Sequence, residues 1–222
     1  MHKSLRLIVS VLAVGLVALL VAGCSPSAKK AKALEKADKA FAAGRYSEAE
    51  IEYKNVLQLE NLNAHAIVRL GTIYSDQGRL GLAVLFIRKA RELAPDDLFV
   101  RLKMGQLNLA SGKLKEAQDE ASFVITRQPS DPEAPLLLAA CIGTLSDATA
   151  IKAKLEAIPN PARQSAPVLT ALGMVEFRLS RNKEAEALFK AATDADPKFA
   201  AAHSALGLLR LSQDDNAGAD AE

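Results

Sequence analysis

Few of the residues that most catalytic and metal chemistry needs are present in this chain. Its 222 residues include three histidines, two cysteines and no tryptophan, and aromatic side chains make up 5%. The histidines are scattered: His2 lies in the N-terminal segment, and His65 and His203 sit near the starts of separate repeats. No metal-ligand spacing, nucleophile elbow or phosphate-cradling glycine loop occurs. Asp194 and Asp196, or Asp214, Asp215 and Asp220, lack the loop periodicity of a calcium site and read as solvated helix ends and turns. No catalytic residue, cofactor or metal is therefore expected. With 50% hydrophobic residues, many of them alanine, the composition suits closely spaced helices rather than a sheet with a bulky core. A net charge of +2, with no basic stripe standing out, argues against a nucleic-acid partner.

What the chain does have is a period. Small residues recur at an interval of 34 at Ala37, Gly71, Gly105, Ala139, Gly173 and Gly207. Leu70, Met104, Leu138, Leu172 and Leu206 run one position ahead. Ala49, Ala83, Ala117, Ala185 and Ala219 form a further column, and Pro95, Pro129 and Pro197 another. Shared spacing of this length is the mark of stacked helix pairs. The small column is explained if two antiparallel helices cross there so closely that only hydrogen or methyl fits, since overpacking such a contact costs about 1–3 kcal/mol. Gly44, Gly78 and Gly112 suit the turn between the helices, where left-handed backbone is needed. The alanine column packs the second helix on the first, with Tyr53, Ile87 and Phe189 continuing the stripe. The prolines end the second helix.

These columns resemble the tetratricopeptide repeat, best in the repeat carrying Leu70, Gly71, Tyr74, Gly78, Ala83, Ala90 and Pro95. The resemblance implies an all-α, right-handed α-solenoid of about six repeats over residues 30–222, starting near 30, 64, 98, 132, 166 and 200. The third repeat has Ala121 where a large residue is usual. The fourth puts Ile151 in the alanine column and lacks the turn glycine, so irregular packing is expected there. The sixth stops partway through its second helix, and residues 212–222 are expected to be poorly ordered. Cys141 is expected to be buried in the fourth repeat.

In this family the first helices of successive pairs line a concave groove that takes a protein or peptide partner. The positions one after the small column, Asp38, Thr72, Gln106, Ala140, Met174 and Leu208, are the implied contacts, flanked by Phe99, Leu102, Leu109, Leu136, Thr170 and Phe177. Across repeats three to five this groove is apolar with few charges, which suits a peptide bearing hydrophobic side chains. Packing between neighbouring repeats is the alternative role for each, above all for Leu109 and Phe177. Asp38, Thr72 and Gln106 do not supply the lysine, asparagine and arginine clamp of cochaperones that grip acidic tails. Nor does the groove offer the aromatic platforms that favour a glycan or peptidoglycan ligand.

At the N-terminus, Lys3 and Arg6 precede an apolar run from Leu7 to Ala22. A secretory signal, a spanning helix and a lipoprotein signal all fit, although the run is shorter than the roughly 20 residues of a usual span. Leu20, Val21, Ala22, Gly23 and Cys24 resemble the bacterial lipobox. That likeness implies a signal over residues 1–23, acylation of Cys24 and a short tether over residues 24–29, with Lys29, Lys30 and Lys32 close to head groups. Ser25, rather than aspartate, resembles the sorting pattern for the periplasmic face of the outer membrane. The first repeat, through Gly44, Ala49, Glu52, Tyr53, Lys54, Asn55, Val56 and Leu57, looks like the start of the tetratricopeptide lipoproteins of exosortase (PEP-CTERM) and exopolysaccharide systems. Lipoproteins that assist the type IV pilus secretin or outer-membrane barrel assembly are alternatives. Cys24→Ala is expected to leave helical content and melting temperature unchanged while moving the protein out of the membrane fraction; retention there would refute acylation as the anchor.

Overall fold

The computed structural model describes residues 26–213 and 216–221. Cys24, Ser25 and the apolar run Leu7 to Ala22 lie outside them, as do Asp214, Asp215 and Glu222. The described residues form twelve α-helices and one 3-10 turn, with no strand among them. They run α1 (Pro26–Ala42), α2 (Tyr46–Leu59), α3 (Ala64–Asp76), α4 (Leu80–Leu93), α5 (Leu98–Ala110), α6 (Leu114–Arg127), α7 (Ala134–Ala140), α8 (Leu145–Glu156), α9 (Ala166–Arg178), α10 (Asn182–Ala195), α11 (Ala200–Leu211) and α12 (Asn216–Ala221). Successive helices pair as six repeats of the α-solenoid class. The described residues divide into two compact units, one ending at residue 94 and the other starting at residue 95. In the first, α1 packs on α2, α2 on α3 and α3 on α4; in the second, α5, α7, α9 and α11 are the first helices of their pairs.

Local chemistry sets each boundary. Asn63 and Asp97 cap α3 and α5 by accepting the amides of Ala66 and Val100, each at 3.0 Å, and Asp131 accepts those of Glu133 and Ala134 before α7. At the opposite end Gly44, Gly78 and Gly112 have φ of 70°, 70° and 71°. Each lets the next amide reach back five residues: Arg45 N–H to Ala40 O at 2.9 Å, Arg79 to Tyr74 and Lys113 to Asn108 at 2.8 Å. In the fifth repeat Ser180 takes this place at φ 59° and Arg181 N–H still closes the turn on Glu176 O. The residues before Pro95, Pro129 and Pro197 leave the helical region, with ψ of 75°, 79° and 98°, ending α4, α6 and α10 two residues short of each proline.

The small column is where the helices meet. A Cβ on Gly71 would lie 2.6 Å from Ile87 Cδ1, and one on Gly173 would lie 2.6 Å from Phe189 Cδ1. In both pairs the large side chain four residues after the column alanine occupies the space the glycine leaves. The third repeat has Ala121 at that place, and the gap is filled from elsewhere: a Cβ on Gly105 would meet Leu137 Cδ2 of α7 at 2.7 Å and Glu120 Cβ at 3.2 Å.

The fourth repeat is irregular, as its residues foretell. Its first helix α7 has 7 residues against 13 in α3, α5 and α9. Its second helix starts at Leu145, because Thr144 and Asp147 form a reciprocal capping box upstream of where the period would place the turn. After α8 come a cis Asn160–Pro161 peptide and the 3-10 turn Ala162–Gln164. Ile151, Leu155 and Cys141 are buried. Burial pushes the Cys141 thiol up to about 11, and its Sγ donates to Leu137 O.

Two expectations are corrected. Residues 26–29, read as tether, form the first turn of α1, because Pro26 suits a first helical position. Residues 216–221, expected to be poorly ordered, form α12, which packs on α11 while Arg210 Nη1 donates to Gly218 O at 2.8 Å.

A polar seam joins successive repeats and follows the same interval. From the second helix, Glu50 accepts Tyr74 OH at 3.1 Å and Arg79 at 3.0 Å; Gln118 donates to Cys141 O at 3.2 Å; Lys152 meets the buried Glu176 at 2.5 Å, with Arg181 at 3.3 Å. Glu176 is a charge withdrawn from water, tolerable because two cations neutralise it. Gly105→Leu is expected to destabilise the protein by about 3 kcal/mol in chemical denaturation, because a side chain there meets Leu137 on one side and Glu120 Cβ on the other. Ser180→Gly is expected to stabilise it by about 1 kcal/mol by removing a left-handed non-glycine residue.

Candidate functional site

Four first helices of the second unit, α5, α7, α9 and α11, line a groove of about 660 Å³. Three of its columns keep the 34-residue interval: Leu136, Thr170 and Ser204; Gln106, Ala140, Met174 and Leu208; Leu109 and Phe177. Each is a face of a first helix that the close helix crossing turns away from its partner. Phe189 of α10, having filled the Gly173 slot, also reaches the lining, as does Ile142. The surface is aliphatic and aromatic, with Gln106, Glu133 and Arg178 as its larger polar groups.

Of the sequence-derived groove residues, Gln106, Leu109, Leu136, Thr170, Met174 and Phe177 line this one cavity, together with Ala140 and Leu208. Leu109, Leu136 and Met174 are partly buried and pack against the core of repeats three to five, so the packing role and the lining role coincide in them. Thr170 is buried, its hydroxyl donating to Ala166 O at 2.7 Å, and it presents a methyl-bearing wall rather than a free polar group. Phe177 is 38% exposed and Leu208 is 63% exposed. Leu102 is corrected: it is 6% exposed and belongs to the core, and it does not line the cavity. Phe99 is exposed but also lies outside the lining, with Lys103 over its ring. Glu133, Arg178 and the α11 residues Ala201, Ser204 and Ala205 were missed. For Ser204 the signal was available, since it lies one interval beyond Thr170.

Polar contacts on this face repeat as well. Gln106 Nε2 donates to Glu133 at 2.8 Å, and the residues at the same register in the first unit, Asp38 and His65, meet at 2.7 Å. Burial would raise the Asp38 carboxyl, but hydrogen bonds from Tyr53 and His65, with the charges of His65 and Arg69, outweigh it and hold the group below its ordinary range. The first-unit face is therefore charged and aromatic, with Arg69 stacked over Phe41. The second-unit groove at the same register positions has Leu137 for Arg69 and Leu109 for Phe41. Such a groove can bury apolar side chains, with no proton-transfer group at its centre. Among the described residues no group of three or more histidine, cysteine or carboxylate residues could hold a metal ion, and no helix is long and apolar enough to cross a membrane.

Comparison with known proteins agrees with this architecture. A tetratricopeptide repeat family model matches residues 34–97 and 170–221, more than half of the chain. DnaJ homolog subfamily C member 3 from Gallus gallus is 32% identical over 112 residues, and the human protein of that name is 31% identical over the same length. The match takes in 50% of this chain but 22% of the relative, so the chain spans about a fifth of the length of these curated relatives. Among solved structures, a tetratricopeptide repeat protein from Parabacteroides merdae superposes with a TM-score of 0.68 at 20% identity, covering 87% of this chain and 77% of that one. The pilF protein of Pseudomonas aeruginosa gives 0.63 at 14% identity, covering 88% and 89%. Both likenesses are of fold. With the interval, the helix pairs and the family model in agreement, the chain belongs to the tetratricopeptide repeat family.

Proposed function

We propose that this protein is a membrane-tethered, non-catalytic scaffold of the bacterial cell envelope that holds a partner protein through an apolar segment laid in the groove of its second unit. The observation that carries this reading is the groove itself: Leu109, Leu136, Met174, Phe177 and Leu208 come from four repeats and converge on one cavity. A helical or extended segment with large aliphatic side chains satisfies such a surface, and the scarcity of polar groups leaves a charged tail unrewarded. Tethering is supported by the basic and apolar N-terminal segment and by the lipobox-like Leu20 to Cys24, with acyl chains on Cys24 as the anchor. Ser25 supports the periplasmic face of the outer membrane, and the residues of the first repeat support a place in exosortase-linked or exopolysaccharide export.

Leu208 tests the groove without threatening the core, because most of its surface is exposed. Photocrosslinkers placed at Met174 and Leu208 in intact cells are expected to capture one common protein, and Leu208→Asp is expected to reduce capture from Met174 about tenfold with the melting temperature unchanged. Equal capture from Leu145, which is exposed on α8 and outside the cavity, would overturn the assignment of the groove as the binding surface.

A further inference from the structure

The first helix breaks a local rule. α1 has no acidic residue in its first turn, and Lys29 and Lys30 stand near the helix start, where the positive end of the macrodipole disfavours cations. Lys29, Lys32, Lys36 and Lys39 then recur at spacings of three and four, which puts them on one face about 80° wide. Ala37 and Ala40 carry the buried face, and Glu35 and Asp38, the only carboxylates of α1, fall outside the lysine face. Lys36 pairs with Glu52 of α2 and also feels Glu48, Lys39 pairs with Glu35, and Lys29 and Lys32 have no carboxylate partner among the described residues. The stripe was concealed by the overall charge of +2. Residues 26–94 hold twelve lysines and arginines against eight carboxylates, whereas residues 95–222 hold fourteen against eighteen.

We propose that α1 lies along an anionic membrane surface, with its lysine face against lipid phosphates. The proposal rests on the reading of Cys24 as the membrane anchor. Since α1 begins two residues after Cys24, only Ser25 lies in the sequence between the helix and an acylated cysteine. Each lysine held near an anionic leaflet favours the contact about fivefold, and the attraction falls off within a Debye length. A helix of 17 residues is about 25 Å long, so lying flat and standing upright place its far end at very different heights. Ala43 follows α1 in line with the stripe and is exposed, which makes it a reporter of that height.

The test uses the full chain as processed in cells, carrying Ala43→Cys labelled with a fluorophore. Cys141 is fully buried and takes no label in the native protein, so the mass of the labelled product also shows whether Cys24 is acylated. The protein is incorporated into vesicles of phosphatidylcholine, with or without phosphatidylglycerol, that carry a head-group quencher. Strong quenching is expected in anionic vesicles, lost at 0.5 M salt, in neutral vesicles and in Lys29→Glu/Lys32→Glu, whose two reversals shift the flat-against-upright equilibrium about 30-fold or more. Flotation with both kinds of vesicle and equal quenching in each would overturn the stripe and leave the anchor standing. Flotation with anionic vesicles alone would uphold the stripe and remove the anchor, and flotation with neither would overturn both.

Discussion

Where Gly71 faces Ile87 and Gly173 faces Phe189, no further carbon atom fits between the two helices of a pair. That closeness requires an inserted side chain from the second helix and an absent one from the first, and it fixes the crossing at one point on each pair. Once the crossing is fixed, the outward face of the first helix is fixed too. Gln106, Ala140, Met174 and Leu208, each one residue beyond a small position, then fall on a common surface. The groove is thus a by-product of packing, since the contact that closes the helix pair aims the next residue outward.

Much of this was legible in the sequence because the constraint is local and recurs. Glycine at φ near 70° and proline two residues past a helix end each leave one residue type at a fixed interval, and eight of the twelve residues expected in the groove line the cavity. Leu102 escaped because its interval partners Leu136 and Thr170 are lining residues, whereas Leu102 itself is buried in the core of repeats three to five. The polar seam escaped for a different reason. Glu50, Gln118 and Lys152 occupy one register position with three chemistries, so no residue column marks them, although each reaches the first helix of the next repeat or the residue that caps it.

The two units divide the same register positions between opposite surface chemistries. In the first, Asp38, His65, Arg69 and Phe41 make a charged and aromatic face; in the second, Leu137 and Leu109 replace Arg69 and Phe41, the Gln106–Glu133 pair replaces Asp38 and His65, and charge turns net negative. A periodic backbone therefore carries an aperiodic surface. Specificity in such a chain is written in positions that packing leaves free to vary, which is why the interval that reveals the fold is silent about the partner.

Leu137 gives the third repeat a dependence its neighbours lack. The side chain that completes the Gly105 crossing belongs to the following repeat, so the third pair is not a self-sufficient module. Excising the fourth repeat, or exchanging it for a copy of the second, would leave a void at the third crossing even if every junction were restored. Unfolding that begins in the short α7 would take the α5 and α6 pair with it. The array is modular in its interval and indivisible across this one joint, and recombination among its repeats would be tolerated on either side of that joint but not through it.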